Sequence, residues 1–256
     1  MKAHEHLSAA INKSAASGRP ALVPFITAGY PEPAGFLSIL KEIASVGDVV
    51  ELGIPFSDPM ADGMTIQRSS FVALQKGVSL KWIFDQLDSV NGEIDTPLVM
   101  MSYLNPLMAF GYDALAERAL AAGVCGFIVP DLPFEESEEI VNALEVRGIG
   151  LIQLVTPATP DDRLQMLCSA SKGFVYAVTI TGITGGGAGL PANLADYLKK
   201  VASYSSIPVC AGFGIRSAAD VAAIGSHASG AIVGSALVEV LEEKGDPKAF
   251  LSELIA

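Results

Sequence analysis

The chain has 256 residues, of which 50% are hydrophobic, 17% charged and 7% aromatic, and 16 Lys+Arg against 28 Asp+Glu give a formal net charge of −12. Soluble chains carry roughly 25% charged residues, so this one is rich in core material and the opposite of a disordered sequence. Its acidic balance excludes the basic footprint by which proteins hold nucleic acid or an anionic membrane.

Residues 1–16 carry charges and two histidines, His4 and His6, but no apolar run of the kind a secretory signal needs. They are expected to form an extra helix, and the protein to be cytoplasmic. Short, β-branched apolar runs then recur at residues 21–28, 49–55, 98–103, 126–130, 151–156, 174–180, 208–211 and 231–233. They are continuous rather than alternating, as in parallel strands covered on both faces. Between them, residues 112–122, 135–147 and 161–170 have helical periodicity and acidic first turns, and Gly123 and Gly148 follow the first two as stops. The uncharged stretch 173–195 is too rich in glycine for a membrane helix and reads as a strand followed by a loop.

Eight strands alternating with helices predict an α/β fold, a single (β/α)8 TIM barrel domain over residues 1–256, with 1–16 closing its lower end. An open doubly wound sheet is the alternative. It would normally carry GxGxxG after the first strand, where this chain has Ala28-Gly29-Tyr30-Pro31. Cys125, Cys168 and Cys210 are far apart, without CxxC spacing, and read as buried reduced thiols.

In such a barrel the active site lies at the C-terminal ends of the strands. On the second run, VVELGIPFSDPMADG, Glu51 shares a strand face with Val49 and Gly53, and Gly53 is expected to leave open space beside it. A buried carboxyl favours its protonated form and can exchange protons near neutral pH; pairing with a basic residue behind the sheet is the bland alternative. Asp58 reads as a turn residue. Asp62 reads equally as a turn residue or as a second carboxylate converging on a substrate.

The loop 181–191, TGITGGGAGLP, has five glycines in eleven residues and no charge, which suits a mobile lid. Gly212-Phe213-Gly214 and Gly234-Ser235 follow the last two strands, where many barrels hold a phosphate on backbone N–H groups and a helix N-terminus. Arg216 is the single cation between residues 208 and 238, so amide dipoles would do most of the holding. No histidine falls at a strand's catalytic end, so metal chemistry is not expected. No lysine lies inside a predicted strand, which removes a Schiff-base aldolase.

The run ELGIPFSDPMADGMTIQ resembles the signature of the tryptophan synthase alpha subunit family, and the likeness extends along the chain. PFITAGYP at 24–31, MSYLNPLMAFG at 101–111, VPDLPFEES at 129–137, TGITGGG at 181–187, AGFGI at 211–215 and IVGSALV at 232–238 keep the family's order and spacing. The resemblance implies a lyase that cleaves indole-3-glycerol phosphate to indole and glyceraldehyde 3-phosphate. It implies Glu51 as catalytic acid/base and Asp62 as the second catalytic carboxylate, engaging the indole N–H. Phe25 and Ile66 would line the indole pocket and Tyr176 would stand beside Glu51. Thr184 and Gly185 would belong to the loop that closes on Asp62, and Gly214, Gly234 and Ser235 to the phosphate cradle.

The same resemblance implies a beta subunit as partner in an α2β2 assembly, facing Asp58 and Pro59 and a third-strand loop with Asn105 and Pro106. Pyridoxal phosphate would be bound by that partner, with no cofactor in this chain. Where some relatives carry an arginine this chain has Ile180, and it has Gly186 and Gly187 where they have charged residues. Indole-3-glycerol phosphate synthase is the competing enzyme reading, but it needs a strand-end lysine. A catalytically silent activator of a beta subunit is the competing non-enzymatic one, and retention of both Glu51 and Asp62 speaks against it.

Overall fold

The computed structural model describes residues 1–179, 193–212 and 214–256. Among them lie nine parallel strand segments: β1 (Ala21–Thr27), β2 (Val50–Gly53), β3 (Leu98–Met101), β4 (Val124–Ile128), β5 (Gly150–Ile152), β6 (Leu154–Val155), β7 (Val175–Val178), β8 (Val209–Gly212) and β9 (Gly230–Val233). They are ordered β5-β4-β3-β2-β1-β9-β8-β7-β6. β5 pairs with β4 and β6 with β7, and only Gln153 separates β5 from β6, so the ring closes through one continuous stretch of chain. The predicted fifth strand is thus two segments. At the break the Gln153 N–H goes to the Ser171 hydroxyl, 2.9 Å, while its carbonyl accepts from Tyr176 N–H, and the chain changes ladder partner there.

The strands bury both faces, which explains their unbroken apolar runs. Alternate residues point inward or outward. Val23, Val49, Val99, Tyr176, Cys210 and Ile232 pack together inside the barrel. Leu22, Ile26, Leu52, Met100, Phe127 and Ala211 face the helices outside.

The N-terminal helix Ala3–Ala16 closes the lower end, with Leu7 and Ile11 fully buried against the interior cluster. Close approach requires glycine where the strands meet it. A Cβ at Gly173 would lie 2.8 Å from Leu7 Cδ1, and one at Gly150 2.9 Å from His4 Cβ. The helix is pinned by Ser8 Oγ donating to Gly173 O at 2.5 Å and by Ser14 Oγ donating to Asp48, which also holds Arg19.

Several boundaries differ from expectation. The predicted helix over 135–147 is a 3-10 turn, Phe134–Glu136, followed by a helix, Glu138–Glu145. The third strand stops at Met101, and Leu104–Phe110 is a short helix, so Asn105 and Pro106 sit in a first helical turn rather than a loop. A proline is tolerated there because the first-turn N–H groups have no partner within the helix. Gly123 and Gly148 do end helices, with φ of 74° and 70°.

Candidate active site

A cleft opens among Phe25, Glu51, Asp62, Ile66, Met101, Tyr176, Gly214, Ile215, Ile232, Gly234 and Ser235. These residues come from β1, β2, β3, β7 and β9, from the segments that follow β2, β8 and β9, and from the helices Met64–Gln75 and Ser235–Glu242. Register explains the assembly. β1 lies between β2 and β9, and Phe25 is paired with Glu51 on one side while its neighbour Pro24 pairs with Val233 on the other. Residues 51 and 234, remote in sequence, therefore flank a single aromatic ring.

Glu51 is 1% exposed, and neither carboxyl oxygen has a hydrogen-bond partner among the described residues. Buried polar groups are almost always partnered, and an unpaired buried carboxylate is costly, so this group holds its proton. Burial first, and the charge of Asp62 second, push its pKa up from 4.5 to about 8. The alternative of a basic partner behind the sheet is thereby removed. The space beside Gly53 is not open, contrary to expectation. A Cβ there would lie 2.4 Å from Phe25 Cζ, so the absent side chain makes room for the ring of Phe25, which walls the cleft.

Asp62 ends the irregular segment after β2 and is partly buried. Its pKa rises from 3.8 to about 6, burial outweighing the hydrogen bond from Tyr103. At neutral pH the site thus holds one protonated and one ionised carboxyl, the separation that acid–base chemistry requires. Tyr176 is 4% exposed, and burial ahead of the nearby carboxylates drives its pKa well upward, so the phenol stays neutral. A Cβ at Gly212 would lie 2.6 Å from the Tyr176 hydroxyl, which makes that glycine the space for the phenol.

The opposite end of the cleft is built from backbone. Gly214 has φ of 82°, a conformation that favours glycine. The helix Ser235–Glu242 starts at the cleft, and Val238 N–H is the first to bond back, to Gly234 O at 3.1 Å. The amides of Ser235, Ala236 and Leu237 have no acceptor within their own helix, an arrangement suited to an anion. None of the described cleft-lining residues is basic, and Arg216 is ion-paired with Glu239. The remaining walls, Phe25, Ile66, Met101, Ile215 and Ile232, are apolar.

The family model described as tryptophan synthase alpha chain matches residues 11–255. A tryptophan synthase alpha chain of Nitratidesulfovibrio vulgaris is 41% identical over 242 residues, covering 94% of each chain, and one from Bacillus cereus is 45% identical over 233 residues, covering 89% of each. The chain superposes on Mycobacterium tuberculosis tryptophan synthase with a TM-score of 0.89 at 36% identity, covering 97% of this chain and 96% of that one. It superposes on a chain of the Pyrococcus furiosus tryptophan synthase complex with a TM-score of 0.83 at 33% identity, over 92% of this chain and 98% of that one. This chain belongs to the tryptophan synthase alpha chain family. Its barrel is the fold of that family.

Of the residues expected at the site of a tryptophan synthase alpha chain, Glu51, Asp62, Phe25, Ile66, Tyr176, Gly214, Gly234 and Ser235 all line one cleft. Thr184 and Gly185, with Ile180 and the rest of loop 181–191, lie outside the described residues. Asp58 and Asn105 are exposed and Pro59 and Pro106 half-buried, away from the cleft lining. Sequence reading missed Met101, Ile215, Ile232 and Tyr103. For Met101 and Tyr103 a signal existed: both share the parity of Val99, which faces the barrel interior.

The raised pKa of Glu51 has a consequence for stability. Between about 4.5 and 8 the folded state keeps a proton that the unfolded chain has released, so stability falls as pH rises through that window and levels off above it. Glu51→Gln has no such proton. Its stability relative to the parent, from urea denaturation at a series of pH values, is expected to rise between pH 5 and 8 and then level off. A difference independent of pH would show that Glu51 is not a buried protonated acid.

Proposed function

We propose that the chain carries out the alpha reaction of tryptophan synthase, cleaving indole-3-glycerol phosphate to indole and glyceraldehyde 3-phosphate as a carbon–carbon lyase. The observation that carries this reading is the unpartnered, proton-holding carboxyl of Glu51 in one apolar cleft with the ionised Asp62. The apolar walls suit a flat indole ring, and the amide-lined end at Gly214, Gly234 and Ser235 suits a phosphate.

In this mechanism Glu51 gives its proton to indole C3, which breaks the aromaticity of the five-membered ring and leaves positive charge near the ring nitrogen. Asp62, ionised, accepts a hydrogen bond from that N–H and stabilises the charge. The Glu51 carboxylate then takes the proton of the hydroxyl on the carbon attached to C3. The carbonyl forms, the carbon–carbon bond breaks, and its electron pair restores the aromatic ring. Glu51 ends as it began, protonated. Tyr176, close to both carboxylates, stays neutral beside them. The chain itself uses no cofactor.

Indole is small, neutral and apolar, and would be lost by diffusion unless consumed at once. This favours a partner that takes it up, a pyridoxal-phosphate-bearing beta subunit in an α2β2 assembly, on the last steps of tryptophan synthesis in the cytoplasm. Three unpaired buried cysteines suit a reducing compartment, and none of the described helices is long and apolar enough to cross a membrane. The docking face in this proposal is the rim with Asp58 and Pro59 after β2 and Asn105 and Pro106 after β3. Support comes from Met60 and Met108 on the same two segments, 82% and 56% exposed, a large apolar surface for a protein to leave in water.

Three measurements test the reading. Glu51→Gln is expected to bind substrate but lose turnover by roughly 10²–10⁴-fold in an indole-release assay, as removal of a general acid does, and Asp62→Asn to lose turnover with little change in phosphate affinity. Indole release within tenfold of the parent by Glu51→Gln would remove the assignment. Gly234→Asp places a Cβ at ordinary contact distance, 3.6 Å from Phe25, and its charge repels a dianion. Calorimetry with glycerol 3-phosphate is expected to show no binding; unchanged affinity would put the cradle elsewhere. Adding the cognate beta subunit is expected to raise the rate of indole formation and to shift the chain to larger species on gel filtration. If neither happens, the partner reading fails while the lyase reading stands.

A further inference from the structure

The segment between Glu51 and Asp62 has to hold a carboxylate at the reacting end of the cleft, yet it runs as irregular chain from Ile54 to Gly63 and exposes Met60. Within the segment Met60 N–H donates to Asp58 O, Asp62 N–H to Pro59 O and Ser57 Oγ to Asp58 Oδ2, and Gln67 Nε2 of the following helix donates to Asp62 O at 2.8 Å; none of these bonds reaches the Asp62 carboxylate. The carboxylate is held from outside. Tyr103, 5% exposed just past the end of β3, touches the segment at three places. Its ring stacks on Phe56 with centroids 5.1 Å apart and planes at 25°, its Oη accepts the Ala61 N–H at 2.8 Å, and its O–H donates to Asp62 Oδ2 at 3.1 Å.

We propose that Tyr103 is a positioning residue for the lyase reaction, fixing through its hydroxyl where the Asp62 carboxylate points. This rests on the reading of Asp62 as the second carboxylate. The direction of the hydrogen bond follows from the donors available. An amide can only donate, so Ala61 occupies a lone pair of Oη and the single phenolic proton is left for Asp62.

Among the described residues Tyr103 is the one side chain that donates to that carboxylate. The groups facing the pair are Glu51 on β2, Tyr176 on β7, and Asp131 after β4, which accepts from Leu104 N–H and acts on Tyr103. Glu51 and Asp62 oppose each other's ionisation, and none of the described cleft-lining residues is a cation. The Tyr103 hydrogen bond therefore opposes the burial that pushes the Asp62 pKa up to about 6. Without it the carboxylate would swing free and take up a proton at higher pH, in the state that cannot stabilise a positive indole nitrogen.

Tyr103→Phe keeps the stack on Phe56 and removes only the hydroxyl. In single-turnover assays with indole-3-glycerol phosphate the expected result is a rate roughly ten- to a hundredfold lower, the usual worth of a hydrogen bond to a charged group. Affinity for glycerol 3-phosphate is expected to stay near the parent's, the melting temperature to fall modestly because the Ala61 N–H loses its acceptor, and the acid limb of the pH–rate profile to move to higher pH. Fluorinated tyrosine at position 103, a stronger donor of nearly the same shape, is expected to move that limb the other way and serves should Tyr103→Phe fold poorly. In an Asp62→Asn background, Tyr103→Phe is expected to add less than about twofold, because coupled residues are not additive. A normal rate and profile for Tyr103→Phe beside an inactive Asp62→Asn would overturn the role of Tyr103 alone, as would equal losses in both backgrounds. An active Asp62→Asn would overturn the reading of Asp62 and this role with it.

Discussion

A carboxyl group buried inside a barrel, without a hydrogen-bond partner among the described residues, is the constraint on which the rest of the site depends. Water would solvate Glu51 and return its pKa to the ordinary range, so the protein around it has to exclude water while leaving room for a ligand. The barrel does the first through layers of inward side chains and through the N-terminal helix, whose Leu7 and Ile11 fill the lower end. It does the second through missing side chains: Gly53 accommodates Phe25 and Gly212 accommodates the Tyr176 hydroxyl, so both rings stand as walls around a cleft that remains open.

The two ends of the cleft solve different electrostatic problems with different materials. At the β2 end two carboxyls of unlike environment are separated in pKa, one by full burial and one by partial burial opposed by a phenol. At the β9 end the chain offers backbone N–H groups and a helix N-terminus. Arg216, which follows β8, is tied to Glu239, which also accepts from Thr65 Oγ1 at 3.1 Å. An uncommitted cation in the cleft would lower the pKa of Glu51 and weaken the acid, so holding an anion by amide dipoles is compatible with keeping Glu51 protonated.

The neighbourhood of β9, β1 and β2 makes these ends meet. Closing a parallel barrel brings the last strand beside the first, and Phe25 on β1 stands between Glu51 and Gly234. The same geometry lets Tyr103, leaving the neighbouring strand β3, reach the segment that carries Asp62.

The sequence by itself determined the strand and helix series, the closing N-terminal helix, and the suspicion that Glu51 is a chemical group, because apolar periodicity and an acidic residue inside an apolar run are local signals. It also carried the family, through motifs such as ELGIPFSDPMADG whose order and spacing are properties of the chain alone. Only the tertiary structure decided whether Glu51 had a basic partner, since that depends on residues brought from other strands. It likewise decided that Gly53 serves Phe25, that the fifth strand breaks at Gln153, and that Pro106 begins a helix. Tyr103 was legible as an inward-facing position by its spacing from Val99, but not as the residue that holds Asp62. That contact joins side chains 41 positions apart, and hydrogen bonds across a fold follow from the closure of the barrel rather than from any pattern along the chain.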